Sequence, residues 1–274
     1  MGERGLGRWG GALVGAGVAA RAGAAVLRAW APGGAGRWER KNYAGRTVEL
    51  YAGPAAAVGT AIGVSALPAR PRAAATLAVL AAGACGTYDD MAGAGDPRRG
   101  FRAHLGALRQ GEVTSGAVKL FGVSAAGLAA GALLKERPVD RLLAGVVVAG
   151  AAHFVNLVDV RPGRAAGTVL ALAAPGLLRK GPGAVVAAAS MGAAAAVLPD
   201  DIGERAMLGD AGAHALGAAL GTAVVAGNGR LGLAAHAAAL VAAAVYGDRV
   251  SAFASTPAVR TNTATLTRVG DPRP

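Results

Sequence analysis

Long apolar runs separated by short polar segments dominate the pattern of this chain. Since one membrane crossing takes about 20 apolar residues, the pattern predicts nine helices. The candidate spans are 9–30, 49–67, 73–88, 113–134, 139–157, 165–178, 183–198, 210–226 and 231–247. The predicted fold class is all-α, a polytopic integral membrane bundle with nine, or at most ten, transmembrane helices. We expect one transmembrane domain over 1–247 and a cytoplasmic tail over 248–274.

Composition supports this class over a soluble domain. The chain has 274 residues, of which 53% are hydrophobic and 16% charged, whereas soluble domains carry about 25% charged residues. Much of the apolar content is Ala and Gly, with 44 glycines in total. Small residues allow helices in a membrane to approach closely, so the glycines predict tight helix packing.

The net charge of +12 has two interpretations. A soluble protein so basic would suggest nucleic acid, but no nucleic-acid-binding motif is present, so we expect no such partner. In a membrane protein, basic residues set orientation and contact anionic headgroups. Four of them are expected to anchor the outer face to lipid: Arg70, Arg72, Arg179 and Lys180.

The distribution of Lys and Arg between loops predicts the orientation. The more basic set of segments is 31–48, 89–112, 158–164, 199–209 and 248–274. By the positive-inside rule this set is cytoplasmic, which places the N-terminus outside and the C-terminus inside. We expect the protein to cross the plasma membrane several times, with its active site facing the cytoplasm.

Four carboxylates are the main candidates for chemistry. Asp89 and Asp90 end the third apolar run. Because two adjacent carboxylates repel each other, their place beside lipid indicates that they bind a divalent cation or a proton. Asp159 and Asp210 also fall at ends of apolar runs, on the same predicted side. Hard oxygen ligands of this kind suit Mg²⁺, with Mn²⁺ as a substitute. The sequence therefore predicts one acidic cluster at the cytoplasmic face.

Other polar residues of these segments have simpler interpretations. Five basic residues close to Asp89 and Asp90 in the sequence are candidates to bind a diphosphate or lipid phosphate: Arg98, Arg99, Arg102, Arg109 and Lys119. His104, next to this basic cluster, is a candidate substrate contact. Asp200 and Asp201 are expected to form a solvated turn, while His214 and His236, on apolar helices, are expected to be packing residues.

Three segments together resemble a known family, the polyprenyl-phosphate N-acetylhexosamine-1-phosphate transferases. GTYDD (86–90) resembles its Asp-Asp motif, NLVD (156–159) its Asn-x-x-Asp motif, and LGDAGAHALGAALG (208–221) its Gly-Asp-x-Gly-Ser motif. Lys119 stands where the family has a lysine entering its fourth helix. The motifs follow the family's order over roughly residues 40–247.

The resemblance implies a Mg²⁺-dependent transfer in cell-envelope glycan synthesis. A polyprenyl phosphate would attack a UDP-N-acetylhexosamine, giving a polyprenyl-diphosphate sugar and UMP. The implied catalytic residues are Asp89, Asp90 and Asp210, with Asp90 and Asp210 at the metal. The implied substrate contacts are Lys119, Asn156, Asp159, Arg102 and His104. Family members are often homodimers.

Departures from the family pattern leave alternatives open. Ala213 stands in the usual Ser position, Val160 follows Asp159 where the family has glycine, and 248–274 contains no histidine, although the family has a His-rich loop there. One alternative is a catalytically altered paralogue that binds a lipid-linked precursor or a partner. A secondary transporter is the third hypothesis; inverted repeats would be its signature, and no repeat is visible.

Overall fold

The structure is a computed structural model that describes residues 3–93, 98 and 100–256, excluding the side chains of 3–6, 8, 101 and 102. It is 79% helical. Its helices are α1 Glu3–Trp30, α2 Ala52–Gly63, α3 Ala69–Ala92, α4 Gly100–Arg109, α5 Ser115–Leu134, α6 Pro138–Val158, α7 Arg164–Leu177, α8 Pro182–Ile202, α9 Gly209–Gly227, α10 Arg230–Val245 and α11 Gly247–Ala254. Two short strands, β1 Glu39–Lys41 and β2 Thr47–Glu49, lie between α1 and α2.

Each predicted apolar run corresponds to one helix, and the all-α, membrane-like character is confirmed at that level. Among the described residues, four helices are long and apolar enough to cross a membrane: Trp9–Trp30 within α1, then α5, α6 and α8. A fifth candidate is the pair α10 and α11, which is bent by 81°. Four to five such helices fall short of the predicted nine spans, so that count stays a prediction.

Close helix contacts depend on glycine. A Cβ added at Gly59 of α2 would lie 2.6 Å from the Ala16 carbonyl oxygen of α1. At Gly127 of α5 it would lie 2.8 Å from the Gly145 oxygen of α6. No side chain fits in such space, so the backbones themselves are in contact, as the small-residue composition predicts.

Helix α9 lies at the centre of the bundle. It contacts α2, α3, α5, α6, α7 and α8, and residues 211–222 are all buried. Because these neighbours fix α9 along its length, its first turn, which carries Asp210, is held against the ends of α3 and α6.

A β-hairpin over 39–49, in a segment predicted to be a loop, packs against the end of the bundle that carries Asp90 and Asp210. Strand β1 pairs with β2 in antiparallel register, and Glu49 bridges to Ala206 between α8 and α9. The Glu204 carboxylate accepts hydrogen bonds from Asn42 and Arg46 of the hairpin. The hairpin therefore fastens the α8–α9 loop.

Several predicted boundaries are wrong by about one turn. Helix α3 continues to Ala92, so Asp89 and Asp90 lie in its last turn and not beyond it. Helix α8 likewise includes Asp200 and Asp201, and Asp201 is only 3% exposed, so this segment is not a solvated turn. Part of the predicted tail, 248–254, belongs to α11, and 257–274 lie outside the described residues.

Candidate functional site

A lysine joins two of the predicted carboxylates. The Lys119 ammonium, in the first turns of α5, donates a hydrogen bond to Asp89 Oδ2 at 2.5 Å and another to Asp210 Oδ2. The Lys119 and Asp89 side chains are 17% and 16% exposed. We call these three residues the Asp–Lys–Asp bridge. It brings together the end of α3, the start of α5 and the start of α9.

The adjacent Asp90 has a different set of contacts. Its carboxylate oxygens accept hydrogen bonds from the backbone N–H groups of Asp210 at 3.1 Å and Ala211 at 3.0 Å. Leu208, which precedes α9, provides no side-chain cap. Asp90 therefore caps α9 from another helix, where the helix dipole favours a negative charge.

Gly209 allows this capping contact. Its φ of +58° is a left-handed conformation that glycine adopts readily, and an added Cβ would lie 2.9 Å from Asp90 Oδ2. The carbonyl oxygen of Asp90 accepts a further hydrogen bond from Arg40 of the hairpin. Asp90 is thus fixed at both its backbone and its side chain.

Asp159 is a half-buried carboxylate directly after α6. Within the part of the chain that the structure describes, no group donates a hydrogen bond to its side chain and no cation pairs with it. Burial and the negative charges of Asp201, Asp210 and Asp90 raise the pKa of Asp159 well above its ordinary value. The fourth predicted carboxylate therefore lies near Asp90 and Asp210, and its side chain can still accept hydrogen bonds.

Asn156 and His153 lie one and two turns before Asp159 on α6. The Asn156 side chain is half-buried and forms no hydrogen bond with the described residues. His153 lies near enough to Lys119 to interact with its charge. Residues three apart on a helix project from neighbouring positions, so Asn156 and His153 lie on the same face of α6, and His153 on that face interacts with Lys119.

Two buried groups complete this end of the bundle. His214, 3% exposed, lies below Asp210 with its Nδ1 2.7 Å from the Asp210 carbonyl oxygen, as expected for a packing residue. Asp201 accepts a hydrogen bond from the Gly163 N–H at 2.7 Å, at the start of α7. Sequence reasoning missed Asp201, because its partner is 38 residues away and no local motif marks the pair.

The two remaining predicted contacts are not part of the bridge. His104 Nδ1 lies 2.9 Å from Thr114 Oγ1, and its ring packs over Gly116 at the start of α5. The Arg102 side chain lies outside the described residues. The geometry therefore links Asp89, Asp90, Asp210 and Lys119 directly, with Asp159 near them and Asn156 one turn before Asp159 on α6.

A groove of about 480 Å³ lies between α6, α7 and α11 and is lined in part by Val158, the residue before Asp159. Its apolar lining includes Phe154 and Val158 of α6 and Phe253 of α11, and Arg164 and Arg249 add positive charge. The bend between α10 and α11 places α11 across the end of the bundle, where it lines this groove.

The carboxylate oxygens of the Asp–Lys–Asp bridge are ligands of the kind that a hard cation binds, but they are not arranged around a cation. Asp89 and Asp210 each present a carboxylate oxygen to the single Lys119 ammonium, so both oxygens converge on one positive charge. Mg²⁺ prefers such oxygens and completes its shell with water and phosphate oxygens. No group of three His, Cys, Asp or Glu side chains is arranged around a common point among the described residues.

No protein-family model matches this chain, and no curated protein matches it.

Proposed function

We propose that this chain is an integral membrane transferase that moves N-acetylhexosamine 1-phosphate from a UDP-sugar to polyprenyl phosphate. One observation carries the proposal: Lys119 connects Asp89 and Asp210, which lie 121 positions apart in two of the segments that resemble the family's motifs. Three sequence features that are far apart thereby form one polar site at a helix-bundle end.

The reaction joins two anions, so its barrier is largely electrostatic. A phosphate oxygen of the polyprenyl phosphate attacks the sugar-bearing phosphorus of the donor, the bond from that phosphorus to the bridging oxygen breaks, and UMP leaves. The Lys119 ammonium offsets negative charge on both phosphates. Asp89 and Asp210, whose carboxylate oxygens converge on Lys119, would hold a Mg²⁺ that supplies further charge neutralisation.

The other polar groups have roles in binding and orientation. Asp90 fixes the first turn of α9, which keeps Asp210 aligned with Lys119. Asn156 has free hydrogen-bonding capacity for the nucleotide. Asp159, with its raised pKa, retains a proton more readily than an ordinary carboxyl, so it can donate a hydrogen bond to a phosphate or carbonyl oxygen.

The groove between α6, α7 and α11 supports a lipid acceptor. Its apolar side chains suit an isoprenoid chain, and Arg164 and Arg249 suit the phosphate at the end of that chain. A groove at the edge of the bundle lets the lipid reach the site from the membrane. The site would face the cytoplasm, where UDP-sugars are made.

A non-catalytic paralogue that binds a lipid-linked precursor is the second candidate. Ala213 favours it, because this buried position in α9 lacks the hydroxyl that the family motif has. Such a protein would still bind the lipid in the groove but would release no UMP.

The test is UMP release by the purified protein in detergent. It receives undecaprenyl phosphate, Mg²⁺ and a panel of UDP-N-acetylhexosamines, with EDTA in a parallel arm. We expect lipid-dependent UMP that disappears with EDTA and in Asp89→Asn and Asp210→Asn. Asp140→Asn is the matched control, since Asp140 begins α6, about 30 Å from the site end. Activity equal to wild type in both site variants would refute the assignment.

A further inference from the structure

A second cavity, of about 320 Å³, lies at the end of the bundle opposite to the Asp–Lys–Asp bridge. It is bordered by the last turns of α7 and α9 and the first turns of α8 and α10. Helix α9 runs from Asp210 to this cavity at Gly227, a distance of about 26 Å along its axis. The cavity is therefore separate from the proposed active site.

The floor of this cavity is apolar. Ala173, Ala187 and Leu220 line it and form a small cluster of their own, each less than 9% exposed. The small side chains of Ala173 and Ala187 leave space beside Leu220 that a longer apolar group can fill. In a membrane, the group available to fill it is a lipid chain.

The rim of the cavity is cationic. Arg179 uses one N–H to donate to the Gly227 carbonyl oxygen at 3.0 Å, and an arginine has four other N–H groups. Lys180 is exposed and has no ion-pair or hydrogen-bond partner among the described residues. Among the residues that the structure describes, none of those lining the cavity is an Asp or Glu. An anionic group at the rim would therefore meet two positive charges and no carboxylate.

We propose that this cavity binds an anionic phospholipid, with its phosphate at Arg179 and Lys180 and the adjoining acyl segment over the apolar floor. The combination of a charged rim and an apolar floor matches the two parts of such a lipid. Of the four basic residues expected to anchor this face, Arg179 and Lys180 line the cavity, whereas Arg70 and Arg72 do not. Arg70 and Arg72 are exposed in the first turn of α3, at the same end of the bundle.

This difference supplies a matched control for a binding experiment. Native mass spectrometry of the full chain in detergent would measure retention of phosphatidylglycerol and of phosphatidylcholine. We expect wild-type protein to retain phosphatidylglycerol preferentially. Combined Arg179→Gln and Lys180→Gln should lower its affinity about tenfold, because two cationic contacts are lost. Combined Arg70→Gln and Arg72→Gln should leave the affinity within about twofold of wild type, since these residues do not border the cavity.

Two further arms separate a lipid site from a site for free phosphate. Glycerol 3-phosphate, which has the anionic headgroup without acyl chains, should not displace the lipid. Ala223→Trp, which fills the cavity from α9, should weaken lipid retention without removing a charge. Unchanged retention in the Arg179 and Lys180 variant, equal loss in the Arg70 and Arg72 variant, or displacement by glycerol 3-phosphate would overturn the proposal. None of these outcomes depends on transferase activity.

Discussion

At the scale of single residues, the two adjacent aspartates of α3 have different partners and different roles. Asp89 pairs with Lys119, whereas Asp90 accepts hydrogen bonds from the backbone of α9. These separate partners explain how two neighbouring carboxylates are accommodated at one helix end. The sequence indicates that the pair is unusual, but it cannot distinguish the two residues, because the partners are far away along the chain.

Asp90→Ala should therefore reduce stability more than Asp89→Ala. Losing the acceptor for two α9 N–H groups should lower the free energy of unfolding by about 1–2 kcal/mol. Asp89→Ala still leaves Lys119 paired with Asp210. Thermal unfolding in detergent would measure both variants against Asp248→Ala, since Asp248 is exposed on α11. Equal melting temperatures for the two α3 variants would contradict the capping role.

Asp159 leads to a prediction about pH. A pKa that is higher in the folded state than in the unfolded state means that ionised Asp159 destabilises the fold. This cost is absent below the ordinary Asp pKa of about 4 and grows as pH rises above it. Asp159→Asn should thus raise the melting temperature at pH 8, with the gain vanishing near pH 4. Scans at both pH values would check this, and a gain independent of pH would disprove the ionisation cost.

At the scale of elements, the sequence predicted helices well and small elements poorly. Each long apolar run correctly predicts one helix of the bundle, because apolar residues occupy most of the length of these helices. The sequence pattern does not predict β1 and β2, because each strand has only three residues. In β1 all three residues are charged: Glu39, Arg40 and Lys41. The apolar pattern does not predict α4, because α4 lies within the polar segment 89–112.

The hairpin should control the mobility of the α8–α9 loop. Glu204→Ala removes the acceptor for Asn42 and Arg46, so we expect faster amide hydrogen exchange over 203–208. Glu136→Ala is the matched control, because Glu136 is an exposed glutamate at the other end of the bundle. Hydrogen–deuterium exchange with mass spectrometry would compare the two. Unchanged exchange over 203–208 in Glu204→Ala would show that the hairpin does not fasten this loop.

At the scale of the whole molecule, backbone contact through glycine determines how the helices assemble. Composition predicted tight packing, but it could not say which of the 44 glycines are in contact. It also could not bring Lys119 between Asp89 and Asp210, since that contact depends on how α3, α5 and α9 pack. The predicted orientation and the resemblance of separated motifs to one family both indicate that these segments meet at one face, but neither specifies the contacts that join them.

Two glycine variants test this packing. Gly59→Ala should destabilise the protein by about 1–3 kcal/mol, because the new Cβ meets the Ala16 carbonyl oxygen. Gly167→Ala should be neutral or stabilising by up to about 1 kcal/mol, since nothing lies within 4 Å of its Cβ position and alanine favours helix. Melting temperatures in detergent would compare them. Similar shifts in both would contradict packing through backbone contact.

The most direct test of the central claim compares lipid-dependent UMP release by wild type, Lys119→Met and Lys135→Met. Lys119 lies in the first turns of α5 and belongs to the bridge, whereas Lys135 directly follows the last residue of α5. Once a UDP-sugar that supports wild-type turnover is found, we predict near-complete loss in Lys119→Met and unchanged release in Lys135→Met. Full activity in Lys119→Met, from protein with a wild-type melting temperature, would contradict a catalytic role for the bridge.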